Sequence, residues 1–145
     1  VYGAGDIGLM GALANGCQNN GGNTFGVIPK HLLQEEVGKT DLSTFIITES
    51  MHERKKLMFT NCNAIVTLPG GVGSLDEFFE ILTWTQLGIS TKPLYLLNID
   101  GYWDLVIQLI DQMVNQGFAE GSLLNKFTII NSVAELETNL LNIFS

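Results

Sequence analysis

Short runs of apolar, largely β-branched residues alternate with longer stretches whose apolar positions recur at helical spacing. The short runs at 24–28, 44–48, 64–68, 94–98 and 127–130 predict strands, and Val1-Tyr2 reads as the end of another. The longer stretches at 8–19, 51–62, 74–87, 103–115 and 133–143 predict helices. Continuous hydrophobic runs, as opposed to alternating ones, predict strands buried on both faces. Strand–helix alternation with right-handed crossovers then gives an α/β fold, a Rossmann-like doubly wound parallel sheet with helices on both faces. Residues 1–145 read as one domain, without internal repeat or linker. In such a sheet, ligands bind beyond the carboxyl ends of the strands.

Composition narrows the partners. The chain has 145 residues, 46% hydrophobic and 15% charged, with a formal charge of −8. Lysine and arginine together number 7, so no basic stripe is available for a nucleic-acid backbone. No run approaches a membrane span and no signal peptide is visible, which together predict a cytoplasmic protein without a membrane partner. Cys17 and Cys62 stand apart, without metal-ligand spacing, and read as reduced core residues. No metal site and no cofactor is expected.

Three strand-to-helix junctions hold the candidate chemistry. "VYGAGDIG" contains Gly3-x-Gly5-x-x-Gly8, the pattern of a dinucleotide fingerprint, but the next strand ends in Pro29-Lys30 where an acidic residue should hold a ribose. Gly3 and Gly5 therefore read either as tight helix–sheet packing or as backbone lying close to a ligand. In "ITESMHERKKLMF", Met51, Arg54 and Met58 share one helical face. The only arginine of the chain thus stands in an apolar stripe, where it needs a carboxylate or a ligand anion. A buried ion pair and an anion site both satisfy that need. His52, on the wetter flank, reads as a surface residue. In "LPGGVGSLDEFFE", Gly70, Gly71 and Gly73 free backbone N–H groups to face an anion at a helix start. Ser74 and Glu77 match a capping box, which would occupy Glu77 with the helix end. Glu80, one turn on, and Asp76 crowd negative charge beside it. The inventory suits a phosphorylated sugar or nucleotide.

"MHERKKLM", then "LPGGVGSLDEFFEILTWTQLG" and "KPLYLLNIDGYWD", resemble the Lonely Guy family, the cytokinin riboside 5′-monophosphate phosphoribohydrolases. "VYGAGDIGLMGALANG" resembles that family's glycine segment, and the likeness covers essentially the whole chain. Members are often labelled lysine decarboxylases, a label that Lys55 and Lys56 on a crowded helix do not support. The resemblance implies hydrolysis of the N-glycosidic bond of an adenosine monophosphate, N6-modified or plain, to free base and ribose 5-phosphate. A broader nucleotide 5′-monophosphate nucleosidase, or a carrier on the same fold, are the alternatives. The family motif Pro-Gly-Gly-x-Gly-Thr-x-x-Glu falls on Pro69 to Glu77, with Ser74 in place of threonine. It makes Arg54 and Glu77 the catalytic residues. Gly70, Gly71, Val72, Gly73, Ser74, Leu75 and Asp76 would bind substrate, with Glu36, Lys55 and Thr83. Gly3, Gly5, Met51 and Glu80 are further candidates. The family is dimeric, so a homodimer is expected. Its members also begin with a strand, a Cys-Gly-Ser-Ser-like loop and a helix that residues 1–145 do not contain, so a sheet with one exposed edge is expected.

Overall fold

A computed structural model of the protein describes residues 1–33, 35 and 38–144. Two compact units follow one another in sequence, Val1–Cys62 and Asn63–Ser145. The first contains α1 (Gly8–Asn19), β1 (Phe25–Pro29), β2 (Thr44–Thr48) and α2 (Met51–Thr60). The second contains β3 (Ile65–Thr67), α3 (Val72–Gln86), β4 (Leu94–Leu97), α4 (Asp104–Asn115), β5 (Thr128–Ile130) and α5 (Val133–Phe144). The α/β class is as the residue pattern predicts. In place of one expected sheet, the ladders form two parallel sheets, β1-β2 in the first unit and β3-β4-β5 in the second.

Burial follows position in the ladder. Central β4 is buried at every residue, whereas β5 at the edge is exposed at Thr128 and Ile129. β1 is also enclosed: β2 pairs with one side, and the other side takes Tyr2, whose N–H donates to the Phe25 carbonyl at 2.9 Å and whose carbonyl accepts from the Val27 N–H at 3.0 Å. Tyr2 thus forms an isolated parallel bridge to Gly26, where the sequence pattern placed the end of a strand. β2, with no described strand beyond it, exposes Thr44 and Ile47. Continuous apolar sequence therefore overstated burial at the edges, because the pattern of a run does not reveal how many neighbours it acquires.

Within the first unit, Lys39 lies buried with its Nζ 2.9 Å from Asp41 and 3.4 Å from Asp6. The hydrogen bond with Asp41 holds the Lys39 ammonium above its ordinary range and the Asp41 carboxyl below its own. The Lys39 main chain donates to the Ala4 carbonyl at 2.8 Å, so this charge cluster fastens the glycine-rich start of the chain. Cys17 and Cys62 are thiols, not a disulfide, and both are half-buried, less enclosed than core cysteines.

The core of the second unit has two sides. Tyr95, Leu97 and Ile130 pack with Val66, Leu68, Leu136 and Leu140, which seats α5 on the sheet. Phe78 of α3, fully buried, meets Phe79 and Phe127 edge to face at 5.4 and 5.5 Å. Burying one such ring contributes about 1.5–3 kcal/mol.

Beyond β4 the chain makes a tight turn. Asp100 and Gly101 are successive left-handed residues, φ 51° and 71°. Buried Asn98 ties the turn: its Oδ1 accepts from the Trp103 N–H at 2.6 Å and its Nδ2 donates to Asp104 Oδ1 at 2.8 Å. Asn98→Ala would strand the buried Trp103 N–H, and a loss of about 1–3 kcal/mol is expected. Urea unfolding, read as a lower midpoint at unchanged slope, checks it.

Candidate active site

The glycine loop follows β3. Gly71 is the N-cap of α3, extended at φ −98° and ψ −157°, and the helix proper starts at Val72. Ser74 is therefore inside the first turn and cannot cap, so the capping box expected for Ser74 and Glu77 does not form. Ser-x-x-Glu occurs at Ser50, Ser74 and Ser132. At the other two places it serves the helix start. Ser50 Oγ accepts from the Glu53 N–H at 3.2 Å, and the Glu53 carboxylate from the Glu49 N–H at 3.0 Å. Likewise Ser132 accepts from Glu135 at 3.1 Å, and Glu135 from the Asn131 N–H at 2.8 Å. At Ser74 the preceding glycines allow an earlier start, and glycine caps a helix almost as well as serine.

That shift has chemical consequences. The N–H groups of Val72, Gly73 and Ser74 have no intrahelical acceptor, as the geometry of a helix start requires. No acidic residue lies in the first turn, so the positive end of α3 is not offset there. Asp76 and Glu77 are displaced into the second turn. Glu77 is half-buried, as is Glu80. Thr83 is exposed and its hydroxyl donates to the Phe79 carbonyl at 2.7 Å.

The three loop glycines have different reasons. The place of a Cβ at Gly70 is taken by the Ser74 hydroxyl. A Cβ at Gly71 or Gly73 would meet nothing within 4 Å, and neither residue has a positive φ. Neither packing nor backbone conformation calls for glycine at these two positions. Tyr102, from the turn after β4, donates its hydroxyl to the Gly70 carbonyl at 2.7 Å.

In the first unit Arg54 is the one fully buried residue of α2, at 5% exposure. Its Nε donates to the Val27 carbonyl at 3.1 Å and its Nη2 to the Gly3 carbonyl at 2.8 Å, with Met51 Sδ 3.9 Å from Nη1. Two main-chain carbonyls thus take part in holding the guanidinium, acceptors that the sequence reading did not name. The place of a Cβ at Gly3 is filled by Arg54, and at Gly5 a Cβ would come within 2.5 Å of the Met10 methyl. Packing against the hydrogen-bonded guanidinium accounts for Gly3, whereas at Gly5 the neighbour is the flexible end of Met10. Lys55 is half-buried and His52 exposed. Glu36 lies outside the described residues.

The structure gathers Gly70 to Glu80 on one loop and the first turns of α3, and it gathers Gly3, Met51 and Arg54 around β1. Reasoning from sequence assigned no role to Tyr102 or Val27. The Asp-Gly turn just ahead of Tyr102 was the available signal; a carbonyl acceptor such as that of Val27 leaves none. Among the described residues, no group of three or more His, Cys, Asp or Glu could hold a metal, and no helix is long and apolar enough to cross a membrane.

A family model described as "Possible lysine decarboxylase" matches residues 10–140. A protein of Oryza sativa subsp. japonica named "Probable cytokinin riboside 5'-monophosphate phosphoribohydrolase" is 41% identical over 97% of this chain and 61% of its own length. A cytokinin riboside 5'-monophosphate phosphoribohydrolase of Arabidopsis thaliana is 40% identical over 84% of this chain and 57% of its own. Another from the same rice is 44% identical over 81% of this chain and 49% of its own. The chain thus spans about half to three-fifths of the length of these relatives. The extent of the family match and the identity to these relatives lead to one statement: the chain belongs to the Lonely Guy family, the one whose model bears the lysine decarboxylase description.

Proposed function

We propose that the protein hydrolyses the N-glycosidic bond of adenosine 5′-monophosphate, N6-modified or plain, releasing the base and ribose 5-phosphate. The observation that carries this reading is the pair Gly71 and Gly73, bare without any packing or conformational need, at a helix start whose N–H groups lack helix acceptors. An incoming phosphate accounts for both facts, since close approach to backbone donors requires absent side chains.

In the proposed reaction, water attacks C1′ of the ribose as the C1′–N9 bond breaks, and the bonding pair leaves with the purine. Glu77 accepts the proton of the water and stabilises the oxocarbenium-like sugar, as carboxylates do in glycoside hydrolysis. The departing purine takes a proton from solvent. Gly70 to Ser74 bind the phosphate, so binding energy remote from the reacting carbon places it. Arg54 is assigned the orientation of substrate by its position in the family motif, and Lys55, Glu36 and Thr83 the substrate contacts. On the same resemblance the protein acts as a cytoplasmic homodimer, which sedimentation of the purified protein tests.

The test is product formation from adenosine monophosphate and from its N6-isopentenyl derivative. Free base appearing with equimolar ribose 5-phosphate is expected, and the ratio of kcat/KM for the two ranks the base pocket. Comparable turnover of other nucleoside monophosphates would replace the adenine-specific reading with a broad nucleosidase. Tight binding without base release would overturn the hydrolase in favour of a carrier.

A further inference from the structure

We propose that Tyr102 is a positioning residue for the phosphate loop, acting through the Gly70 carbonyl. The inference rests on the reading of Gly70–Ser74 as a phosphate cradle.

In a trans peptide the carbonyl and the following N–H lie in one plane and point in opposite directions. Fixing the Gly70 carbonyl therefore fixes the Gly71 N–H. Two consecutive glycines make the Gly70–Gly71 peptide the easiest in the loop to rotate, because no Cβ resists the change. The Tyr102 hydroxyl, 2.7 Å from that carbonyl, sets one orientation. It aligns the Gly71 N–H ahead of those of Val72, Gly73 and Ser74, so that successive donors form one anion-binding concavity.

Tyr102 is itself well placed for this task. The left-handed pair Asp100 and Gly101 redirects the chain after β4, and the bonds of Asn98 to Trp103 and Asp104 close the turn. The Tyr102 ring stands edge-on to Trp103 at 4.7 Å. Yet the residue is 55% exposed, so burial of the ring does not explain its place. Its polar end reaches a carbonyl 32 residues away in sequence.

Tyr102→Phe keeps the ring and removes the hydroxyl. The measurements are amide hydrogen exchange over residues 70–75, and calorimetric titration with ribose 5-phosphate and, separately, with adenine. Expected are faster exchange at Gly71 to Ser74, about five- to tenfold weaker ribose 5-phosphate binding from loss of one oriented donor set, unchanged adenine binding and an unchanged Tm. Tyr102→Leu, which also loses the ring contact with Trp103, is expected to lower Tm in addition. A merely structural tyrosine would lower Tm in Tyr102→Phe without any effect confined to the phosphate ligand, and that result overturns the proposal. So does unchanged exchange in a protein that binds ribose 5-phosphate normally. Failure of the wild-type protein to bind ribose 5-phosphate overturns the cradle itself, and the role of Tyr102 with it.

Discussion

Glu77→Gln is expected to lower the rate of base release from adenosine monophosphate on the order of 10³-fold while leaving the protein folded. The amide matches the carboxylate in size but neither takes a proton from water nor offsets positive charge on the sugar. No capping box at the start of α3 depends on Glu77, since Gly71 is the N-cap and Ser74 lies inside the helix. Glu53→Ala and Glu135→Ala give the contrast, since those side chains do accept main-chain N–H groups at helix starts and alanine removes the acceptor. The check is kcat and KM for each variant beside its urea midpoint. A fall in kcat with KM nearly constant fits a group that acts in the transition state. Rates within a factor of a few of wild type would remove Glu77 from the chemistry.

Arg54→Met should have the largest effect on stability, about 3 kcal/mol or more. It removes two charge-assisted hydrogen bonds and leaves the carbonyls of Gly3 and Val27 in a buried place without those donors. Hydrolysis should fall with it, because the residue is proposed to orient substrate. Arg54→Lys is the informative companion. A single ammonium cannot reproduce the planar fork that reaches two carbonyls at once, so most of the lost stability should not return. Equilibrium urea unfolding separates the two effects from turnover measured well below the midpoint. A stable Arg54→Met variant with full activity would contradict both the structural and the catalytic assignment.

Much of the element order was legible because the physics behind it is local. α1 and β2 fall within the predicted limits, and the other helices and strands differ by a residue or two at their ends. The start of α3 was misjudged for a definite reason. Ser-x-x-Glu is a sound helix-start signal, and it operates at Ser50 and Ser132. At Ser74 the glycines ahead of it gave the helix a still earlier start, and local pattern alone could not rank the two. Arg54 was singled out correctly as a charge in an apolar face. The carbonyls of Gly3 and Val27 were not foreseen among its acceptors, since every residue bears a carbonyl and only the folded chain decides which one is near. Tyr102 shows the same limit over a separation of 32 residues. The sheets were also misjudged at their edges, where burial depends on partners the run itself does not encode.

Gly73 sits inside α3, where alanine would hold the helix more firmly by about 1 kcal/mol. Nothing around it obstructs a methyl group. A selection for heat resistance alone would therefore fill this position early, and thermal tolerance would rise as the proposed ligand was shut out. Breeding such a protein for robustness requires a screen that also asks for turnover; otherwise the improvement and the loss of the enzyme arrive in the same substitution.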